Sequence, residues 1–183
     1  MQTYISILRG INVSGKNLLK MAALKQALEQ LKFEKVTTYI QSGNIVFQSP
    51  EENSERLAET IHHQIQKSFG YDVPTQVFTA KSWKQIIDNN PFVKDKTKDT
   101  GFLHVTFLAT KPEPFNNQEI FIKKMEGEEI QITSKAIHLY CPHGYGRTKL
   151  NNTFLETKLG VPATTRNWKT CLKLLEIADG LQQ

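Results

Sequence analysis

Cysteine is scarce: the 183 residues contain only Cys141 and Cys171. Two thiols in apolar surroundings make no disulfide framework, so free, buried thiols in a reducing cytosol are expected. No apolar run reaches the roughly 20 residues that a membrane helix needs. The opening stretch MQTYISILRG has no basic start followed by a long apolar core, so no signal peptide is expected. These absences point to a cytoplasmic protein with no membrane partner. Catalytic signatures are missing too: there is no G-x-S-x-G, no H-E-x-x-H and no Cys/His arrangement. Asp72 and Glu119 stand isolated, and nothing marks a paired-carboxylate site. Cys141-Pro142-His143 offers two metal ligands without a second pair at an accepted spacing, so neither a metal site nor a cofactor is expected.

What is present is ordinary globular material. Apolar residues make up 39% of the chain and charged residues 22%, which argues against disorder. The net charge of +5 suits a phosphate-bearing partner, a small molecule or a nucleic acid. Arg9, Lys16, Lys20, Lys25, Lys32 and Lys35 crowd the early chain, and Arg147, Lys149, Lys158, Arg166, Lys169 and Lys173 the late chain. Glu51, Glu52, Glu55 and Glu59 gather between them.

Periodicity supplies the elements. Residues 3–9 alternate as a strand, and Leu24, Ala27, Leu28 and Leu31 mark one helical face. Strands at 36–40 and 45–48 flank Gln41-Ser42-Gly43-Asn44, a turn rich in residues that accept positive φ. Ser49-Pro50-Glu51-Glu52 reads as a helix start with serine as the cap, and Leu57, Ile61 and Ile65 continue that helix. A strand at 73–78 completes β-α-β-β-α-β, and a short helix follows around Trp83, Ile86 and Ile87. The charged stretch 94–101 reads as a connection. Beyond it come a strand at 102–109, a helix at 118–125, a hairpin of 129–133 and 136–141, a helix ending at Gly160, and a last helix from about Trp168. The expected fold class is α+β, with two consecutive ferredoxin-like (βαββαβ-type) units and largely antiparallel sheets. Residues 1–93 are the first unit with its extra helix, 94–101 the connection, and 102–183 a second unit read as βαββα with a C-terminal helix.

Two constellations carry possible chemistry. Gly10-Ile11-Asn12-Val13-Ser14-Gly15-Lys16-Asn17 is the phosphate-loop pattern G-x-x-x-x-G-K with Asn in place of Ser or Thr. The missing hydroxyl removes a magnesium ligand, and an antiparallel sheet is the wrong frame for such a nucleotidase. Successive backbone N–H groups in a loop still favour an anion. The second constellation, 164–170, places Arg166 beside a helix start that Asn167 or Thr165 can cap. Arg166 can form a bidentate fork to phosphate, and Trp168 can stack a ring or simply pack. His62 and His63 lie on the second helix, and His104 and His138 in strands. The basic-glycine-aromatic pattern of RNA-recognition domains is absent around Tyr4 and Phe47.

Leu8-Arg9-Gly10-Ile11-Asn12-Val13, then 38–44 (Thr-Tyr-Ile-Gln-Ser-Gly-Asn), then 163–170 (Ala-Thr-Thr-Arg-Asn-Trp-Lys-Thr) together resemble the bacterial family known as domain of unknown function 1697. The resemblance covers nearly the whole chain. It implies a two-part α+β fold of ferredoxin-like units in a bacterial, intracellular setting, and it implies no activity. Relatives often read Gly-Gly-Arg-Asn where this chain has Ser14-Gly15-Lys16-Asn17, which keeps a basic residue in the loop.

The leading expectation is a protein that binds a phosphate-bearing ligand (nucleotide, sugar phosphate or nucleic-acid backbone) through Arg9, Asn12, Lys16, Gln41, Ser42, Asn44, Arg166, Asn167 and Trp168. One alternative is an enzyme of nucleotide or phosphoryl chemistry at the same loops. The other is that these motifs are purely structural, with the arginines in buried networks.

Overall fold

A computed structural model describes residues 1–114 and 118–182. The chain divides into two compact units, one of Met1–Gln85 with Lys173–Gln183, the other of Ile86–Leu172.

The first unit runs β1 (Gln2–Leu8), α1 (Met21–Glu29), β2 (Glu34–Tyr39), β3 (Asn44–Ser49), α2 (Ser54–Phe69) and β4 (Thr75–Thr79). Its four strands lie in the order β2-β3-β1-β4, each neighbouring pair antiparallel. Alternation along β1 and β3 sends Tyr4, Leu8, Ile45 and Phe47 to one face. Leu24 and Leu28 of α1 and Leu57, Ile61 and Ile65 of α2 close over that face, all at most 2% exposed. Phe33 stacks on Phe47 with ring centroids 4.4 Å apart.

α3 (Ala80–Asp88) follows, and the second unit repeats the plan with β5 (Leu103–Leu108), α4 (Gln118–Lys123), β6 (Glu129–Ile132), β7 (Ala136–Tyr140), α5 (Asn152–Leu159) and β8 (Ala163–Asn167), before α6 (Trp168–Leu181). The strand order β6-β7-β5-β8 is again fully antiparallel and topologically the same. Leu108, Ile137, Leu139 and Ala163 pack with Ile120 of α4 and Leu155 and Leu159 of α5. Both units are therefore ferredoxin-like, in an α+β fold.

Three sequence expectations change. The second unit is not βαββα: residues 163–167 form β8, pairing with β5 from His104↔Asn167 to Leu108↔Ala163. A five-residue polar strand gains its stability from that distant partner, so its own pattern is weak. Ser49 is not the cap of α2. It ends β3 opposite Gln2, and its Oγ accepts from Glu51 N at 3.2 Å, while Asn53 caps the helix by accepting from the N–H groups of Glu55 and Arg56. The stretch 94–101 falls within the second unit. There Lys98 Nζ lies 2.7 Å from both Asp95 and Glu129, with its side chain 11% exposed, and sits 5.2 Å over the Tyr140 ring. These ion pairs hold the Lys98 ammonium well above, and the Asp95 carboxyl well below, their usual ranges.

Candidate functional site

Six of the nine candidate residues belong to the first unit: Arg9, Asn12 and Lys16 in the loop 9–20 after β1, Gln41 and Ser42 in the turn 40–43 between β2 and β3, and Asn44 at the start of β3. The loop is anchored by Ile11 and Leu19, both buried in the core of α1 and α2. Between those anchors the chain doubles back. Val13 and Lys16 form a bridge, with Lys16 N donating to Val13 O at 2.9 Å. Ser14 and Gly15 between them both take positive φ, 49° and 75°, as in a type I′ turn. The phosphate-loop reading fails on this geometry. In that motif the lysine opens the helix after a parallel strand, whereas here the sheet is antiparallel and α1 starts at Met21, beyond an uncapped Lys20.

Asn12 is the node of the loop. Its Nδ2 donates to Leu19 O at 2.9 Å and to Gln41 O at 2.8 Å, and its Oδ1 accepts from Leu19 N at 2.8 Å. Three of the four hydrogen bonds the amide can make are thereby used to tie the loop to itself and to the turn. Asn17 reinforces the loop, its Nδ2 donating to Gly10 O at 3.0 Å and its backbone oxygen accepting from Asn12 N. The turn is fixed from inside: buried Asn44 donates through Nδ2 to Tyr39 O at 3.1 Å and to Ser42 Oγ at 2.8 Å. Gly43, at φ 73°, presses on Leu8 so closely that a Cβ would lie 2.6 Å from the leucine Cβ. Ile40 holds φ 49°, a left-handed conformation that a β-branched residue pays for.

On this frame Lys16 and Gln41 are exposed and Arg9 is half-buried, its backbone N–H donating to Pro74 O at 3.0 Å. Residues 9–20 and 39–44 contain no carboxylate and, apart from Tyr39, no aromatic ring.

The other three candidates belong to the second unit. Arg166 pairs with Val105 in β8, is half-buried, and donates through Nη1 to Thr165 O at 3.0 Å. Desolvation draws its guanidinium down to about 10, which leaves it charged at neutral pH. Asn167 is exposed and caps α6, its Oδ1 accepting from Thr170 N at 2.8 Å. Trp168 is 6% exposed, so its indole fills the interior rather than offering a stacking face.

Sequence reasoning missed a polar chain on the second sheet. Thr165 Oγ1 accepts from Tyr145 OH at 3.0 Å and donates to Asn152 Oδ1 at 2.6 Å, with Thr106 Oγ1 at 2.7 Å. His104 stacks on Tyr145 at 4.8 Å, and burial holds its imidazole below the usual range. Only the β5–β8 pairing reveals this chain, because its members lie up to 59 residues apart. Of the other histidines, His62 contacts Val73 O through Nδ1 at 2.9 Å, and His138 is buried. Among the described residues no cluster of three or more metal-ligating side chains occurs, and no helix is long and apolar enough to cross a membrane. Cys141 and Cys171 are free and buried.

A family model described as "Protein of unknown function (DUF1697)" matches residues 1–138. The chain is also similar in fold to a solved structure, the conserved bacterial protein SP0830 from Streptococcus pneumoniae, with a TM-score of 0.71 and 24% identity, over 97% of this chain and 98% of that one. Among curated proteins, none matches.

Proposed function

We propose, for a chain that belongs to the DUF1697 family, that it is a cytoplasmic binding protein for a phosphate-bearing ligand, which sits on the loop end of the first unit. The supporting observation is the pairing of a rigid frame with an exposed lysine in loops whose own sequence contains no carboxylate. Asn12 locks two loops together at some cost in backbone strain, and the residues that project from them include Lys16 and Gln41 but no carboxylate. Strain of this kind is retained where it serves a site. The hydrogen bonds divide the candidates by role. Asn12, Ser42, Asn44 and Asn167 spend their side chains on loops and caps, and Trp168 is interior; these build the frame. Lys16, Gln41 and Arg9 are the residues that touch the ligand, and Arg166 is the corresponding cation of the second unit.

A second reading is favoured by those same internal bonds: the motifs serve only to shape the loops. A thermal-shift panel of nucleotides with and without magnesium, sugar phosphates and short oligonucleotides separates the two. A ligand at about a hundred times its dissociation constant adds roughly 2.7 kcal/mol, a shift of several degrees for a chain of this length. The binding reading expects such a shift from at least one compound, lost in Lys16→Gln and in Arg9→Gln. No shift anywhere on the panel contradicts it and leaves the structural reading standing.

A further inference from the structure

Asn12 and the two residues that it joins, Leu19 and Gln41, each have an exposed aliphatic neighbour in the chain. Val13 follows Asn12 itself, Leu18 precedes Leu19, and Ile40 precedes Gln41; they are 58%, 65% and 50% exposed. Exposed lysines stand among them: Lys16 bridges to Val13, and Lys20 follows Leu19. The loop that carries most of these side chains pairs part of its own backbone. Asn12 N, Lys16 N and Leu19 N all donate within it, and the carbonyls of Gly10, Val13, Asn17 and Leu19 accept within it. Tyr71 OH covers Leu18 O at 3.3 Å.

We infer that the phosphate recognised at this loop end is that of an anionic lipid bilayer, on which the loop docks peripherally. The inference rests on the anion-binding reading above and names the source of the anion. Three features favour a lipid surface over a soluble phosphate or a nucleic acid. Exposed aliphatic side chains gain by entering the acyl boundary while lysines meet the headgroup phosphates. The seven backbone groups that the loop pairs within itself need no water when it meets the bilayer. Base stacking calls for aromatic faces, and residues 9–20 contain none. Ile40, at φ 49°, is itself half exposed in the turn.

The test is flotation of the full chain with vesicles of phosphatidylcholine alone, or with phosphatidylglycerol added, alongside a titration with water-soluble glycerol phosphate. The expected result is partition onto vesicles that contain phosphatidylglycerol and not onto those of phosphatidylcholine alone. It should fall about fivefold in Lys16→Gln, from the loss of one cation near the surface. It should fall by more than about tenfold when Val13, Leu18 and Ile40 are all replaced by Ser, from the loss of apolar burial. Circular dichroism melting verifies that each variant is folded, and the single changes Val13→Ser and Leu18→Ser stand in if the triple variant is not. Binding of glycerol phosphate or of an oligonucleotide without vesicle binding overturns the lipid inference and leaves the anion reading intact. Vesicle binding that the serine variants do not reduce also overturns it, because charge alone then suffices. Binding to none of these probes removes both readings.

Discussion

Asn12 makes three side-chain hydrogen bonds that no other residue type of its size can replace together. In Asn12→Ala the carbonyls of Leu19 and Gln41 and the N–H of Leu19 lose their partners. At about 1 kcal/mol net for each bond, and more where a group is left buried, the expected loss is roughly 2–3 kcal/mol. Urea unfolding measures it, with an unchanged m-value showing that the native fold persists. Ile40 is the opposite case. A left-handed conformation costs an ordinary L-residue roughly 1–2 kcal/mol, so Ile40→Gly is expected to leave stability equal or higher despite the greater freedom of the unfolded chain. The same unfolding experiment checks this. A residue whose removal stabilises the fold and weakens binding is held for the site.

The elements differ in how far they can be read without the structure. The stripe Leu57, Ile61 and Ile65 and the face Leu24, Ala27 and Leu28 are local patterns that land buried on their helices, whereas Leu31, expected on the same face, lies past the end of α1 and is half-buried. The hairpin turn is legible for the same reason, since Gly43 and Asn44 are chemical requirements of the turn itself. β8 is not, because Thr164, Thr165 and Arg166 become a strand only through β5. The cap of α2 is misplaced by the local pattern at Ser49: β1 claims Ser49 for the sheet, and the helix starts four residues later under Asn53. Removing that cap with Asn53→Ala is expected to cost about 1 kcal/mol, whereas Ser49→Ala, which removes no cap, should cost less; thermal melts of the two variants decide. The split of the candidate residues between loop-building and exposed positions is not legible in the sequence, because it depends on hydrogen bonds such as that from residue 12 to residue 41.

At the scale of the whole molecule, stability should depend on pH through the buried histidines. His138 is 1% exposed, its Nδ1 has no hydrogen-bond partner among the described residues, and burial lowers its imidazole to about 4. The unfolded chain takes up that proton near pH 6.5 and the folded chain only near 4. Stability is therefore complete above about pH 6.5 and falls as pH drops towards 4, by on the order of 3 kcal/mol. His104 adds to the loss in the same direction. Chemical unfolding at pH 7.5 and 4.5 should show this slope, and His138→Leu should flatten it; an equal slope in that variant would place the titration elsewhere.

The binding account rests on where an anion lands. Backbone amide shifts followed by NMR during titration with inorganic pyrophosphate locate it directly. The account expects saturable changes concentrated in residues 9–20 and 40–44, abolished in Lys16→Gln while the rest of the spectrum is unchanged. Absence of saturable change in those two segments, with or without changes elsewhere, would contradict it.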